Sequence, residues 1–238
     1  MAGFYASYVA IVLLSPFPPG LPAWQTTPDT IARIVHESFN FFYVNIALAT
    51  VNMNPVLNVA EHPVDEALFN FVNAWSLMMW PLWVADPRGQ RVKQKPLIWL
   101  GTMFLTNVFL PLYMTLRLVP YIETEVEPSN NSRPGLHSVL PRYSPAFGLI
   151  ALLIGCLSLG WAAFGRPEYG GLDARLDFIS HQFSTDRVFW AFCVDVALYY
   201  VWQIWLMGAC KAGRIRFVPF FGMALWLLNN KSSDTTNA

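Results

Sequence analysis

The side chains that could do chemistry in this sequence are ionisable and amide groups set inside long apolar runs. The clearest is Asp195, in a mostly apolar and aromatic stretch from Val188 to Trp205. No Lys or Arg lies within one helical turn of it, and Arg187 is about two turns away. Loss of water favours the uncharged form of a carboxyl group, which can then donate a proton. Phe192, Tyr199 and Trp202 stand at i−3, i+4 and i+7 from Asp195, so a helix would carry the acid and a wall of rings on one face. The structural alternative is that Asp195 accepts interhelical hydrogen bonds from Asn or Tyr partners.

A second group is Arg33, His36, Glu37 and Asn40. In a helix, Arg33, Glu37 and Asn40 share one face with Phe41 and Val44, and Glu37 is the second candidate acid. An Arg33–Glu37 pair that only anchors a helix end is the competing reading. A third group is Glu66, Asn70 and Asn73, whose i, i+4, i+7 spacing makes a polar stripe facing a bundle interior or a wet cavity. Glu61, His62 and Asp65, just before it, either belong to the same site or are ordinary solvated loop residues.

The sequence has no DDxxD box, DxDD run, GxSxG, P-loop or HExxH, and its four histidines are scattered with no i, i+4 pair. We therefore expect no metal and no cofactor, and acid chemistry rather than metal-assisted ionisation. Cys156, Cys193 and Cys210 form no CxxC pair and read as small buried hydrophobes.

The elements that must position these groups follow from composition. Hydrophobic residues make up 55% of the 238 and charged residues only 13%, about half the share in a soluble domain. Fifteen basic residues balance fifteen acidic ones, which argues against nucleic-acid binding. A membrane helix needs about 20 apolar residues. Runs at about 31–51, 67–84, 97–119, 146–165 and 188–209 reach that length, and shorter runs lie at 2–17 and 217–228.

These runs predict an all-α, polytopic transmembrane bundle of about seven helices, a single domain over 1–238 with a polar tail at 231–238. The first run could instead be a secretory signal, but it lacks a basic residue before Arg33. The basic loop 86–95 reads as cytosolic by the positive-inside rule. Alternation then puts residues 120–145 outside, where the sequon at Asn130 would make the chain a glycoprotein. Lys211, Arg214 and Arg216 fall outside in the same scheme and oppose it. No internal repeat of the kind built into inverted-repeat transporters is visible.

The segments His36 to Phe42, His62 to Asn70 and Ser184 to Asp195 resemble the small integral-membrane terpene cyclases of fungal meroterpenoid pathways, in particular the group acting in ascochlorin, ascofuranone and macrophorin biosynthesis. The Asn-Phe-Ala-Trp-Glu-like block of the neighbouring pyripyropene-type cyclases is absent. The resemblance implies cyclisation of a farnesylated aromatic or polyketide precursor, begun by protonation of a terminal epoxide or alkene. It further implies a hydrophobic prenylated substrate, no cofactor, and residence in the endoplasmic reticulum of a fungal host.

In those terms Asp195 is the first choice for the acid and Glu37 the second. Asn40 and Tyr199 would orient, Phe192 and Trp202 would line the site, and Phe41, Glu66, Asn70 and Asn73 would complete the substrate surface, in a cavity between the second, third and sixth helices. Ring faces can hold a desolvated cation at about 2 kcal/mol per contact. Two other classes fit the same residues: a small membrane carrier or proton-relay accessory protein, and a sterol-isomerase-like bundle. Oligomeric state is left open by the sequence.

Overall fold

The computed structural model describes residues 2–51, 53, 61–118 and 140–230, with the side chains of Arg33, Glu37, Ser38 and Thr50 outside that description. Among the described residues there is no strand. Ten α-helices follow in order: α1 (Ala2–Val9), α2 (Pro28–Asn40), α3 (Tyr43–Thr50), α4 (Pro63–Ala85), α5 (Lys95–Leu105), α6 (Leu110–Leu116), α7 (Ser144–Phe164), α8 (Leu172–Thr185), α9 (Arg187–Ala209) and α10 (Phe221–Leu228). A π-helical turn, Ala10–Leu14, extends α1.

The centre is α4, which packs against α7, α9 and α5 and is buried along most of its length. Its start is well specified. His62 caps it by accepting from the Val64 N–H, Pro63 occupies a position whose N–H would be unpaired anyway, and Asp65 and Glu66 complement the helix dipole. The side-chain contacts fix the directions of its neighbours. Phe69 meets Phe192 and Ser76 meets Tyr199, so α9 runs parallel to α4. Glu66 meets Trp161, and Trp80 is hydrogen-bonded to Tyr143, so α7 runs antiparallel. Against α7 lies α10, admitted by Gly148, where a Cβ would fall 2.6 Å from the Ala224 carbonyl oxygen.

Two helices, α7 and α9, are long and apolar enough to cross a membrane, or three elements if the bent α5–α6 pair counts as one. The outer side of α7 is a row of exposed Leu149, Ile150, Leu153 and Leu157, and only 22% of its most apolar window is buried.

Several sequence expectations change. The run at 31–51 is two helices, α2 and α3, broken at Phe41 and Phe42. The break is held by the Asn70 side chain, which donates to the Phe41 carbonyl at 2.6 Å and accepts from the Tyr43 N–H. The run at 97–119 is not one straight helix. It bends by 114° through a 3-10 turn, Thr106–Val108, and α6 returns to the end of the bundle where α5 began.

The cause of that return is non-local. Thr106 takes a positive φ of 35° at the bend, and beyond α6 the Arg117 guanidinium clasps Asp86 with both arms, Nε to Oδ2 at 2.5 Å and a second nitrogen to Oδ1 at 2.7 Å. Tyr113 also donates to Asp86 at 2.8 Å and stacks on Trp83 with centroids 3.9 Å apart. Asp86, at the start of the basic loop 86–95, is fully buried. Arg117 and Tyr143, which flank residues 119–139, therefore sit at the same end as 86–95, opposite to the alternation drawn from seven crossings. The sequon at Asn130 and the tail 231–238 lie outside the described residues.

Candidate functional site

Asp195 lies in the third turn of α9 and is 3% exposed. Its carboxylate collects three side-chain donors from two separate parts of the chain, α1 and the turn between α5 and α6. The Tyr8 hydroxyl of α1 donates to Oδ1 at 2.8 Å, and the Asn107 amide donates to the same oxygen at 2.9 Å. The Thr106 hydroxyl bonds Oδ2. Asn107 also donates to the Asp195 main-chain carbonyl at 3.2 Å, and its own oxygen accepts from the Trp202 indole N–H at 3.1 Å.

The bend between α5 and α6 is thus the device that carries Thr106 and Asn107 to the acid. Two of the three donors are hydroxyls, which can also accept. A protonated Asp195 could therefore donate a hydrogen bond to the Thr106 or Tyr8 oxygen within the same arrangement.

The rings predicted beside Asp195 are there. Trp202 is 2% exposed and meets Phe4 edge to face at 5.6 Å. Tyr199 is fully buried, hydrogen-bonded through its hydroxyl to Ser76 and stacked on Trp75. Phe192 is half-buried and meets Phe69, which also touches Phe41 at 5.4 Å and Phe42 at 4.8 Å. A line of rings thus runs from α2 and α3 across α4 to α9, one turn from the acid.

The polar stripe on α4 is buried as expected, yet most of it is engaged with protein. Glu66, 1% exposed, accepts from the Trp161 indole at 2.7 Å and is gripped by Arg166, with its closest contact at 2.9 Å. Asn70 holds the break between α2 and α3. Asn73 donates to the Phe69 carbonyl at 3.0 Å, while its Oδ1 is buried without a partner. Asn40 is buried, 3.4 Å from His36 Nδ1. The side chain of Glu37 lies outside the described residues, so the second candidate acid has no geometry to report.

Several residues had no sequence signal. Tyr8 is 187 positions from Asp195. Gln203, fully buried, uses all its hydrogen-bonding capacity: its oxygen accepts from the Trp75 indole and the Phe220 N–H, and its amide donates to the carbonyls of Arg216 and Val218. It therefore pins the segment that turns back after α9. His62, for which the sequence left a loop role open, stacks on Phe178 at 3.4 Å and lies near Arg175. Burial, and secondarily the Arg175 charge, pull its imidazole down to about 4.

Among the described residues no group of three or more His, Cys, Asp or Glu side chains is placed to hold a metal ion. Comparison with protein-family models, curated proteins and solved structures found no match for this chain.

Proposed function

We propose that this chain is a membrane-embedded terpene cyclase that protonates a farnesylated aromatic or polyketide precursor, at a terminal epoxide or alkene, with Asp195 as the acid. One observation carries the reading. Of the three buried carboxyl groups among the described residues, Glu66 and Asp86 are each locked by an arginine, whereas Asp195 is held only by neutral donors. A carboxyl group without a cation beside it, out of water, can exist as the neutral acid that such a step requires.

The surrounding rings support the next stage. Trp202, Tyr199 and Tyr8 are the kind of faces that stabilise a migrating carbocation, and the apolar surroundings keep out water that would quench it. Cyclisation is redox-neutral: the proton lent at the start is returned when the last cation loses a proton, so no cofactor is consumed. The outward-facing leucines of α7 and the composition of α9 favour residence in a lipid bilayer, in a multi-pass arrangement and, in a fungal cell, in the endoplasmic reticulum.

A second reading is favoured by the completeness of the donor set. Three donors on one carboxyl group also suit a fixed polar clamp inside a membrane carrier, holding the α5–α6 bend in place. The discriminating experiment is turnover. Microsomes bearing the chain, incubated with farnesylated phenols and their terminal epoxides in the presence of EDTA, should yield products of unchanged mass and altered retention. Uptake or exchange of these compounds without isomerisation would favour the carrier.

A further inference from the structure

The charged residues divide between the two ends of the bundle. At the end where α4 and α9 finish and α7 begins lie four cations from residues 86–95, together with Arg117, Arg142 and three more from residues 211–216. The single acid among the described residues there, Asp86, is consumed by Arg117. At the other end, residues 61–66 and 168–186 carry seven carboxyl groups, while residues 166–187 supply three arginines.

All three of those arginines are occupied. Arg166 holds Glu66, Arg175 caps the last carbonyls of α7 at Ala162 and Gly165, and Arg187 binds the carbonyls of Val12, Ser15 and Pro18. The alternating scheme drawn from sequence split the 86–95 and 211–216 cations between two faces. Because α5–α6 folds back and α9 runs parallel to α4, the structure brings them to one.

We propose that this basic end is a contact surface for the anionic phospholipid headgroups of the cytosolic leaflet, with α8 and its acidic flanks on the opposite side of the membrane. The inference rests on the membrane reading above. Short loops rich in Lys and Arg next to apolar helices stay on the cytosolic side, and acids weigh little in that preference. Glu123, Glu125 and Glu127 lie outside the described residues. Clustered cations at that depth are drawn to phosphatidylserine-type surfaces within about 10 Å, and the attraction is screened by salt.

On this assignment α5–α6 and the segment 213–228 both dip in from the cytosolic side. Their tips lie at Thr106, against Asp195, and at Phe220, against Gln203. The acid is thus reached by a hairpin entering from the cytosol.

The test uses the full chain in sealed microsomes, with Cys156, Cys193 and Cys210 replaced by alanine and one cysteine introduced as Lys93→Cys, Lys211→Cys or Ser184→Cys. A membrane-impermeant maleimide should label the first two in intact microsomes and Ser184→Cys only after permeabilisation. Labelling of Lys93→Cys and Lys211→Cys from opposite sides, or of Ser184→Cys alone in intact microsomes, overturns the assignment.

The unaltered chain gives a second readout: Asn130 should stay unglycosylated, and glycosidase-sensitive modification there contradicts the proposal. For the lipid partner, a polarity-sensitive fluorophore on Lys93→Cys should report a less polar site in vesicles of equimolar phosphatidylcholine and phosphatidylserine than in phosphatidylcholine alone, with the difference lost at high salt. Identical spectra in both vesicles overturn the lipid contact. Release of the chain by alkaline carbonate would instead overturn the membrane reading itself.

Discussion

Asn107 binds Asp195 twice, through one amide nitrogen that donates to the carboxylate at 2.9 Å and to the main-chain carbonyl at 3.2 Å, while its oxygen accepts from Trp202. One side chain at the tip of a bent hairpin therefore sets both the acid and the ring that stands two turns further along α9. This coupling makes the site a product of the α5–α6 fold-back rather than of α9 alone.

The fold-back has its own anchor, and its removal has a definite sign. Arg117→Leu leaves a fully buried Asp86 without its cation, which typically costs about 3–5 kcal/mol. Asp86→Asn combined with Arg117→Leu removes the uncompensated charge and should recover much of that loss. Thermal unfolding of the detergent-purified chain measures the cycle. Equal midpoints for Arg117→Leu and the wild type would show that the pair does not hold the hairpin.

His62 supplies a pH dependence. Its imidazole is pulled down to about 4 in the folded chain, against about 6.5 when unfolded. The unfolded state therefore binds the proton more readily, and stability should fall as pH drops from about 6.5 towards 4. His62→Phe keeps a ring to stack on Phe178 and removes the titration, so it should flatten this part of the profile. A wild-type unfolding midpoint that is level across the window, or an unchanged slope in the variant, contradicts the assignment.

Trp202→Phe keeps a ring beside Phe4 but loses the indole N–H that Asn107 accepts and weakens the cation-stabilising face. Turnover should drop several-fold, with a larger share of partly cyclised, water-quenched products. Chromatography of the product mixture measures this. An unchanged product ratio would place Trp202 outside the path of the cation.

What could be read from sequence follows the range of the forces involved. The burial of Asp195 was legible because it stands in a long apolar run with no cation within one turn, and its neighbouring rings because helical spacing is local. The Glu66, Asn70 and Asn73 stripe was legible as buried for the same reason, but its main partners, Arg166 and the α2–α3 break, lie 100 and 29 residues away in sequence. The stretch 97–119 has the composition of a crossing helix. What folds it back is a positive φ at Thr106 and a clasp between Arg117 and Asp86, and neither leaves a periodic trace. The burial of Asp86 left no trace in the sequence because its neighbours are those of a loop and its partner is 31 residues further on.

The most direct test of Asp195 as the acid is Asp195→Asn. The geometry accommodates the amide: its oxygen can accept from Tyr8 and Asn107, and its nitrogen can donate to the Thr106 hydroxyl, which is able to accept. Membrane abundance should therefore be retained. What disappears is the transferable proton, and a general acid contributes on the order of 10² to 10⁴ in rate. Microsomal cyclisation of a farnesylated phenol or its epoxide should fall by that factor at equal protein level. Full activity in Asp195→Asn, with Asp195→Ala losing only abundance, would contradict the account and leave Asp195 as the clamp of a carrier.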